Sequence, residues 1–487
     1  MPKKTLTVTS FIFLIIIIFS VGYILVKAYP SFKTPYVQTE SDKPIEVTLE
    51  FWGLWDNSDN WEEIIRKFEN RTYNFNGRKV NVSINYTKKD FGSYEEDIAK
   101  AKEKNNIPSI FMINNNWFES YIDLLEPLAG NDAYTQEYDL ISHNDLLDIF
   151  SARTLFDAVR KDQLYGMPLY SDSLALYYNK DLFEKAGIKE PPKSWQEFNK
   201  VVKKLTILDN KDEIIQAGAA LGTGENVSRS SDILSLLIMQ GGGSVIDSDS
   251  KVDINKEIEV NMINGTEKRT PGKRGIEFYT EFANSKKEIY SWNSDQENSI
   301  KAFAEGKVAM MIGYSYHVKN LSAINSGLNY GISQMPQLEN STPINFSNVT
   351  IPVVSNLGNC KVEPVELSHE VDCAKISWSF LSFAVEKENS KQYLDLTGKV
   401  AARKDLIQEQ IEADGAASIF ASQAESSQSY NKFDDKIDNI LVEMIDEINL
   451  EREETDKIVN EAVLKIENLN QDTRIQETRT QTNSNNQ

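Results

Sequence analysis

The chain has 487 residues, 40% of them hydrophobic, and its 73 acidic against 52 basic side chains leave a formal net charge of −21. That length holds two or three domains with cores of their own, while the carboxylate surplus excludes a basic nucleic-acid binder, whose affinity rests on Lys and Arg displacing phosphate counterions. Two cysteines and three widely spaced histidines leave almost no material for a His/Cys metal site, and no cofactor-binding motif stands out.

Residues 6–26 form an uncharged, almost wholly apolar run preceded by Lys3 and Lys4, which matches the roughly 20 residues needed to cross a bilayer. A cleaved signal peptide needs a shorter apolar core and a small-residue cleavage site, so residues 1–29 are expected to be an uncleaved transmembrane anchor with the folded part outside the cell. The stretch from Pro30 to Pro44 holds three prolines and no apolar periodicity, and 30–45 is expected to be an extended linker. Cys360 and Cys373 suit an oxidising compartment. Joined, they would staple a polar, acidic loop and stabilise it by about 3 kcal/mol; two unrelated thiols are the other reading.

The folded part opens with Glu46–Trp52, a strand by alternation, then a helix over Trp61–Phe68, a strand over Lys79–Tyr86, a helix over Tyr94–Lys102 and a short strand at Ser109–Ile113. This β-α-β-α-β order predicts a parallel sheet. Ser194–Glu197 and Ser294–Glu297 read as capping boxes that open helices ending at about Leu205 and Ala304. Val308–Ile312 then returns as a strand, and a last helix starts near Thr455. Residues 471–487 are polar and without periodicity, and are expected to be a disordered tail.

No nucleophile motif survives inspection. Gly313-Tyr-Ser315-Tyr-His317 has histidine where a nucleophile elbow requires its second glycine, and the glycines of 218–224 lack the lysine of a phosphate loop. Aromatic residues at strand ends are more informative, because α/β sheets bind ligands there. Trp52 and Trp55 flank the exit of the first strand, Asn116 and Trp117 follow the third, and Tyr314 and Tyr316 follow Val308–Ile312. A rigid aromatic face stacks on the C–H face of a sugar while neighbouring polar groups bond its hydroxyls; the same residues are also ordinary core material.

The run from Gly166 to Ile188 (GMPLYSDSLALYYNKDLFEKAGI), followed by Pro191–Phe198 (PPKSWQEF), resembles the extracellular solute-binding proteins of ABC importers, in the carbohydrate-binding branch that includes maltose-binding protein. Phe303–Gly313 and Thr397–Asp405 are similar to later family motifs, with Ala401 where proline is usual. The resemblance implies a two-lobed α/β fold of the periplasmic-binding-protein type II, with lobe 1 at 46–170 plus 346–405, lobe 2 at 171–345 plus 406–470, and ligand in the cleft between them. It implies cleft residues Trp55, Asn116, Trp117, Tyr170 and Asp172, faced by Trp292, Tyr314 and Tyr316, with Phe346 at the next crossing. The implied partners are a small solute, a carbohydrate above all, and an importer permease; no covalent chemistry is expected. A sensing ectodomain of the same fold and a carbohydrate-active enzyme are the alternatives.

Overall fold

The structure, a computed structural model, describes residues 43–484 apart from 76, 116, 129, 131–137, 161, 248–250, 263–264, 358 and 431–435. The apolar run 6–26, nearly all of the linker and Asn116 lie outside the described residues. Among the described residues no helix is long and apolar enough to cross a membrane.

Strand β1 (Ile45–Gly53) buries Ile45, Val47, Leu49 and Phe51 on alternate positions, the period of two that a half-covered strand requires. The helix Asp59–Glu69 answers with Trp61, Ile64, Ile65 and Phe68 on one face, and Trp61 meets Phe51 edge-on with ring centroids 4.9 Å apart. Each such side chain contributes about 1.5–3 kcal/mol by leaving water. A short β2 (Tyr73–Phe75) pairs antiparallel with β3 (Arg78–Lys88), and β3 lies parallel to β1 along its whole length. After the helix Tyr94–Glu103, β4 (Ile110–Asn114) joins the other side of β1 in parallel at Phe51 and Trp52. The β-α-β-α-β order thus folds as a parallel core.

The chain then crosses. Strand β5 (Tyr170–Ser171) leads into β6 (Ala175–Asn179), the centre of a second, antiparallel sheet flanked by β7 (Met310–Gly313) and β8 (Tyr330–Ser333). Around it pack the helix Trp195–Leu205 and the wholly buried helix Ser230–Gln240. The chain returns through β9 (Asn345–Phe346) to β10 (Thr350–Val354), which lies antiparallel to β4, and to β11 (Cys360–Glu363), antiparallel to the start of β1. Cys360 and Cys373 are joined in a disulfide, which ties β11 to the helix Cys373–Ala384. Short pairings knit the crossings: β12 (Val400–Ala401) on β5, Ser173 against Ser347, and β13 (Ser427–Gln428) on β9. Near the last crossing, Lys387 and Lys391 bind Glu409 of the helix Lys404–Glu412, whereas Phe420 of the next helix reaches Tyr177 on β6.

Two local expectations need correction. Ser194 does cap its helix, accepting from the Glu197 N–H, but Ser294 caps nothing: the helix begins at Ser299, where the Asn298 side chain accepts from the Ile300 N–H. Glu297 is bound instead by Lys301 and Lys307, so lysines hold the carboxylate a capping box would use. The tail is also helical over its described part, since the helix from Thr455 runs to Ser484, and 485–487 lie outside the described residues. That stretch contains neither glycine nor proline, and extending a helix already nucleated upstream costs far less than starting one.

Candidate functional site

The loop after β1 is held in a rare conformation. Leu54 is buried, Trp55 has φ +67° and is 55% exposed, and the Asp56 N–H donates to the Leu54 carbonyl at 2.7 Å. A three-residue turn with positive φ at its centre is the strained form of the γ-turn. Glycine suits position 53 just before it, because a Cβ there would lie 1.9 Å from the Tyr86 hydroxyl oxygen and displace that ring, whose hydroxyl donates to the Asp56 carbonyl at 2.9 Å. Trp55 rests on Phe91, centroids 4.7 Å apart and planes 30° from parallel, and Phe91 is 5.9 Å from Trp117 at 23°. Trp55 and Phe91 are open to solvent, with Phe91 42% exposed, while Trp117 at the far end of the row is buried.

Behind the row is a buried polar hub. The Lys399 ammonium donates to both Asp56 carboxylate oxygens at 2.9 and 2.8 Å and to the Tyr393 hydroxyl at 2.7 Å, and it sits 4.0 Å over the Tyr170 ring. Tyr170 is buried, its hydroxyl 2.6 Å from Thr350 Oγ1. Two residues on, Asp172 accepts from the Ser173 N–H and from both the N–H and the hydroxyl of Ser315. Burial pushes the Asp172 carboxyl up to about 7, against the opposing pull of these hydrogen bonds and Lys399. Asp172 thereby joins a crossing segment to the loop after β7.

In that loop Tyr316 is 47% exposed and lies nearly parallel to Tyr314, centroids 5.8 Å apart. Tyr314 is buried beneath it and donates to Asp232 at 2.8 Å. The same carboxylate oxygen accepts from the Arg229 guanidinium at 2.8 Å and from Asn348 at 3.4 Å. Burial pushes the neighbouring His317 down to about 4, the value of an imidazole kept neutral. A further buried carboxylate, Asp157, accepts from Asn115 and Ser429, both at 2.8 Å.

Trp55 and Tyr316 thus stand exposed, while Tyr170 and Asp172 are buried in the network that connects them. Trp292 does not belong with them. It is fully buried in the second lobe with its indole N–H on Asn226 at 3.1 Å, because Asn226 also ties down the chain at Asn293 and Gln296 and closes the wall over it. Phe346 is likewise buried, packed on Tyr430. Tyr314 and Trp117 support exposed rings instead of presenting their own. Sequence reading missed Phe91, Lys399, Asp56 and Arg229. Phe91 follows Lys89-Asp90 just beyond a strand end, the position that singled out the tryptophans, and Lys399 lies within the family-like stretch Thr397–Asp405; Asp56 and Arg229 carry no local signal.

The family of bacterial extracellular solute-binding proteins matches this chain over residues 63–419. Maltodextrin-binding protein MdxE of Bacillus subtilis is 27% identical over 279 residues, which are 54% of this chain and 62% of that protein. The sn-glycerol-3-phosphate-binding periplasmic protein UgpB of Escherichia coli is 22% identical over 382 residues, 75% of this chain and 77% of its own length. Binding proteins of Brucella match at 31% identity, but over only 23% of their length. Among solved structures, the cyclic α-maltosyl-1,6-maltose binding protein of Arthrobacter globiformis superposes with TM-score 0.67 at 16% identity, covering 88% of this chain and 99% of that one. The two-sheet architecture, its knitted crossings and the match across most of the folded part lead to one conclusion: the chain belongs to the bacterial extracellular solute-binding proteins.

Proposed function

We propose that this protein captures a neutral sugar of the maltodextrin type between its two lobes and hands it to the permease of an ABC importer. The observation that carries the reading is the pair of solvent-open aromatic surfaces, Trp55 with Phe91 on the first lobe and Tyr316 on the second, linked by a floor of hydroxyls and carboxylates. Such surfaces stack on pyranose faces while the floor bonds the hydroxyls. The work is binding and hinge closure, driven by a ligand that prefers the closed state.

The relationship to UgpB raises a phosphorylated polyol as the competing ligand. Charge pairing favours the neutral sugar, because Lys399 and Arg229 are each already engaged by a carboxylate, Asp56 and Asp232. We further propose that residues 6–26 stay on the chain and tether it to the outer face of the membrane, which keeps the captured solute close to the permease. An intact mass lacking the first 25–30 residues would sink the tether.

A thermal-shift screen tests the ligand. A sugar at a hundred times its dissociation constant adds about 2.7 kcal/mol of apparent stability, so a saturable shift with maltotriose and none with sn-glycerol 3-phosphate is expected. The reverse pattern would overturn the neutral-sugar reading.

A further inference from the structure

We propose that Lys399 is a positioning residue of the binding site, which acts on the ligand through Asp56 and Trp55 without touching the ligand itself. The inference deepens the sugar-binding reading and rests on it for the role of Trp55.

A bulky side chain at positive φ costs about 1–3 kcal/mol and persists only where its surroundings leave no alternative. Trp55 has that backbone, with its side chain largely in solvent, so the ring supplies little of the holding force. The fixed points are its two neighbours. Leu54 is fully buried in the core of the first lobe. Asp56 is buried too, with its carbonyl held by Tyr86 and its carboxylate by Lys399 and Tyr393.

Of these partners Lys399 alone brings a charge, and a buried carboxylate without its counter-ion is strongly disfavoured. Lys399 comes from the turn Thr397-Gly398-Lys399, where Gly398 at φ +72° ends the helix Lys387–Thr397. Its ammonium also faces Tyr170 on the crossing strand. The Thr397 carbonyl of the same turn accepts from Lys319 on the helix His317–Ile324, which follows the Tyr314–Tyr316 loop of the second lobe. One three-residue turn therefore contacts the first-lobe aromatic row through Asp56, the crossing through Tyr170, and the second lobe through Lys319. Moving Lys399 moves Asp56, and with it the γ-turn that aims the Trp55 ring.

The test uses the full chain labelled with 15N-tryptophan. The Trp55 indole signal is assigned by its disappearance in Trp55→Phe. In Lys399→Gln that signal is expected to shift or broaden while those of Trp195 and Trp292, in the second lobe, stay in place. Maltotriose affinity should fall about tenfold, the scale of losing a charged hydrogen bond. The same substitution should cost nothing further in a Trp55→Ala background, because the penalty of a positioning residue disappears with the residue it positions.

An unmoved Trp55 signal, or an equal penalty in both backgrounds, would overturn the proposal. Should Lys399→Gln fail to fold, the double variant Asp56→Asn, Lys399→Gln leaves no lone buried charge and must show the same displaced signal. If the wild-type chain ignores maltotriose, the sugar reading fails on its own while the indole spectrum still decides the positioning.

Discussion

The two lobes carry their aromatic residues differently. In the first, a strained turn anchored by a buried ion pair holds Trp55 in solvent, where it stacks on the likewise exposed Phe91. In the second, Trp292 and Tyr314 are wholly buried with their polar atoms bonded to Asn226 and Asp232, and Tyr316 alone is open. An aromatic ring near a strand end is open to a ligand only where the neighbouring loop leaves it uncovered. Where a loop folds back over it, as 223–226 and 293–296 do around Trp292, the same residue type is core.

The largest effect that contrast implies is on stability. Trp292→Ala should cost about 3–5 kcal/mol, as truncating a buried tryptophan does, read from denaturant unfolding; a loss under about 1 kcal/mol would mean the ring is not core. Reducing the Cys360–Cys373 disulfide, which closes a separation of 13 residues, should cost about 3 kcal/mol, and it should leave the second lobe's thermal transition in place. On the exposed side the signs diverge. Trp55→Gly should be more stable than Trp55→Ala by about 1 kcal/mol, because both lose the stack on Phe91 and only glycine takes positive φ freely, while either weakens sugar binding by about 2 kcal/mol. A Trp55→Gly chain no more stable than Trp55→Ala would contradict the strained turn.

The smallest effect concerns Asp172, whose carboxyl lies at about 7 in the folded chain against an ordinary 3.8. A raised carboxyl binds its proton more tightly folded than unfolded. It therefore adds stability that is full below about pH 4 and is lost as pH rises through 7. Between pH 8 and 6.5 the wild type should gain roughly 1 kcal/mol or less on the Asp172→Asn variant. His317, held at about 4, works the opposite way and loses stability as pH falls below about 6.5, so the window above it isolates Asp172. Identical pH profiles for wild type and variant would place Asp172 in contact with water.

Much of the frame was legible in the chain. Alternation marked β1 and β3, helical spacing marked Asp59–Glu69 with its four buried residues, and the motif at 166–198 led to the two-lobed fold. These signals are local, and sheet pairing only had to agree with them. The site was less legible because exposure is set by distant segments. Nothing near Trp292 in sequence announces Asn226, and nothing near Asp56 announces Lys399, 343 residues away. The unused capping box at Ser294 has a nearer cause, since Lys301 and Lys307, on the same stretch of chain, bind Glu297. Phe91 sits just beyond a strand end like the tryptophans, and only the stacking on Trp55 distinguishes it from a core phenylalanine.

The most direct test of the account is isothermal titration of the full chain with maltotriose, with sn-glycerol 3-phosphate as the competitor class and Tyr316→Ala beside the wild type. One saturable site for the neutral sugar is expected, weakened by Tyr316→Ala and indifferent to the phosphate. Tight binding of the phosphate with no response to maltotriose would contradict it.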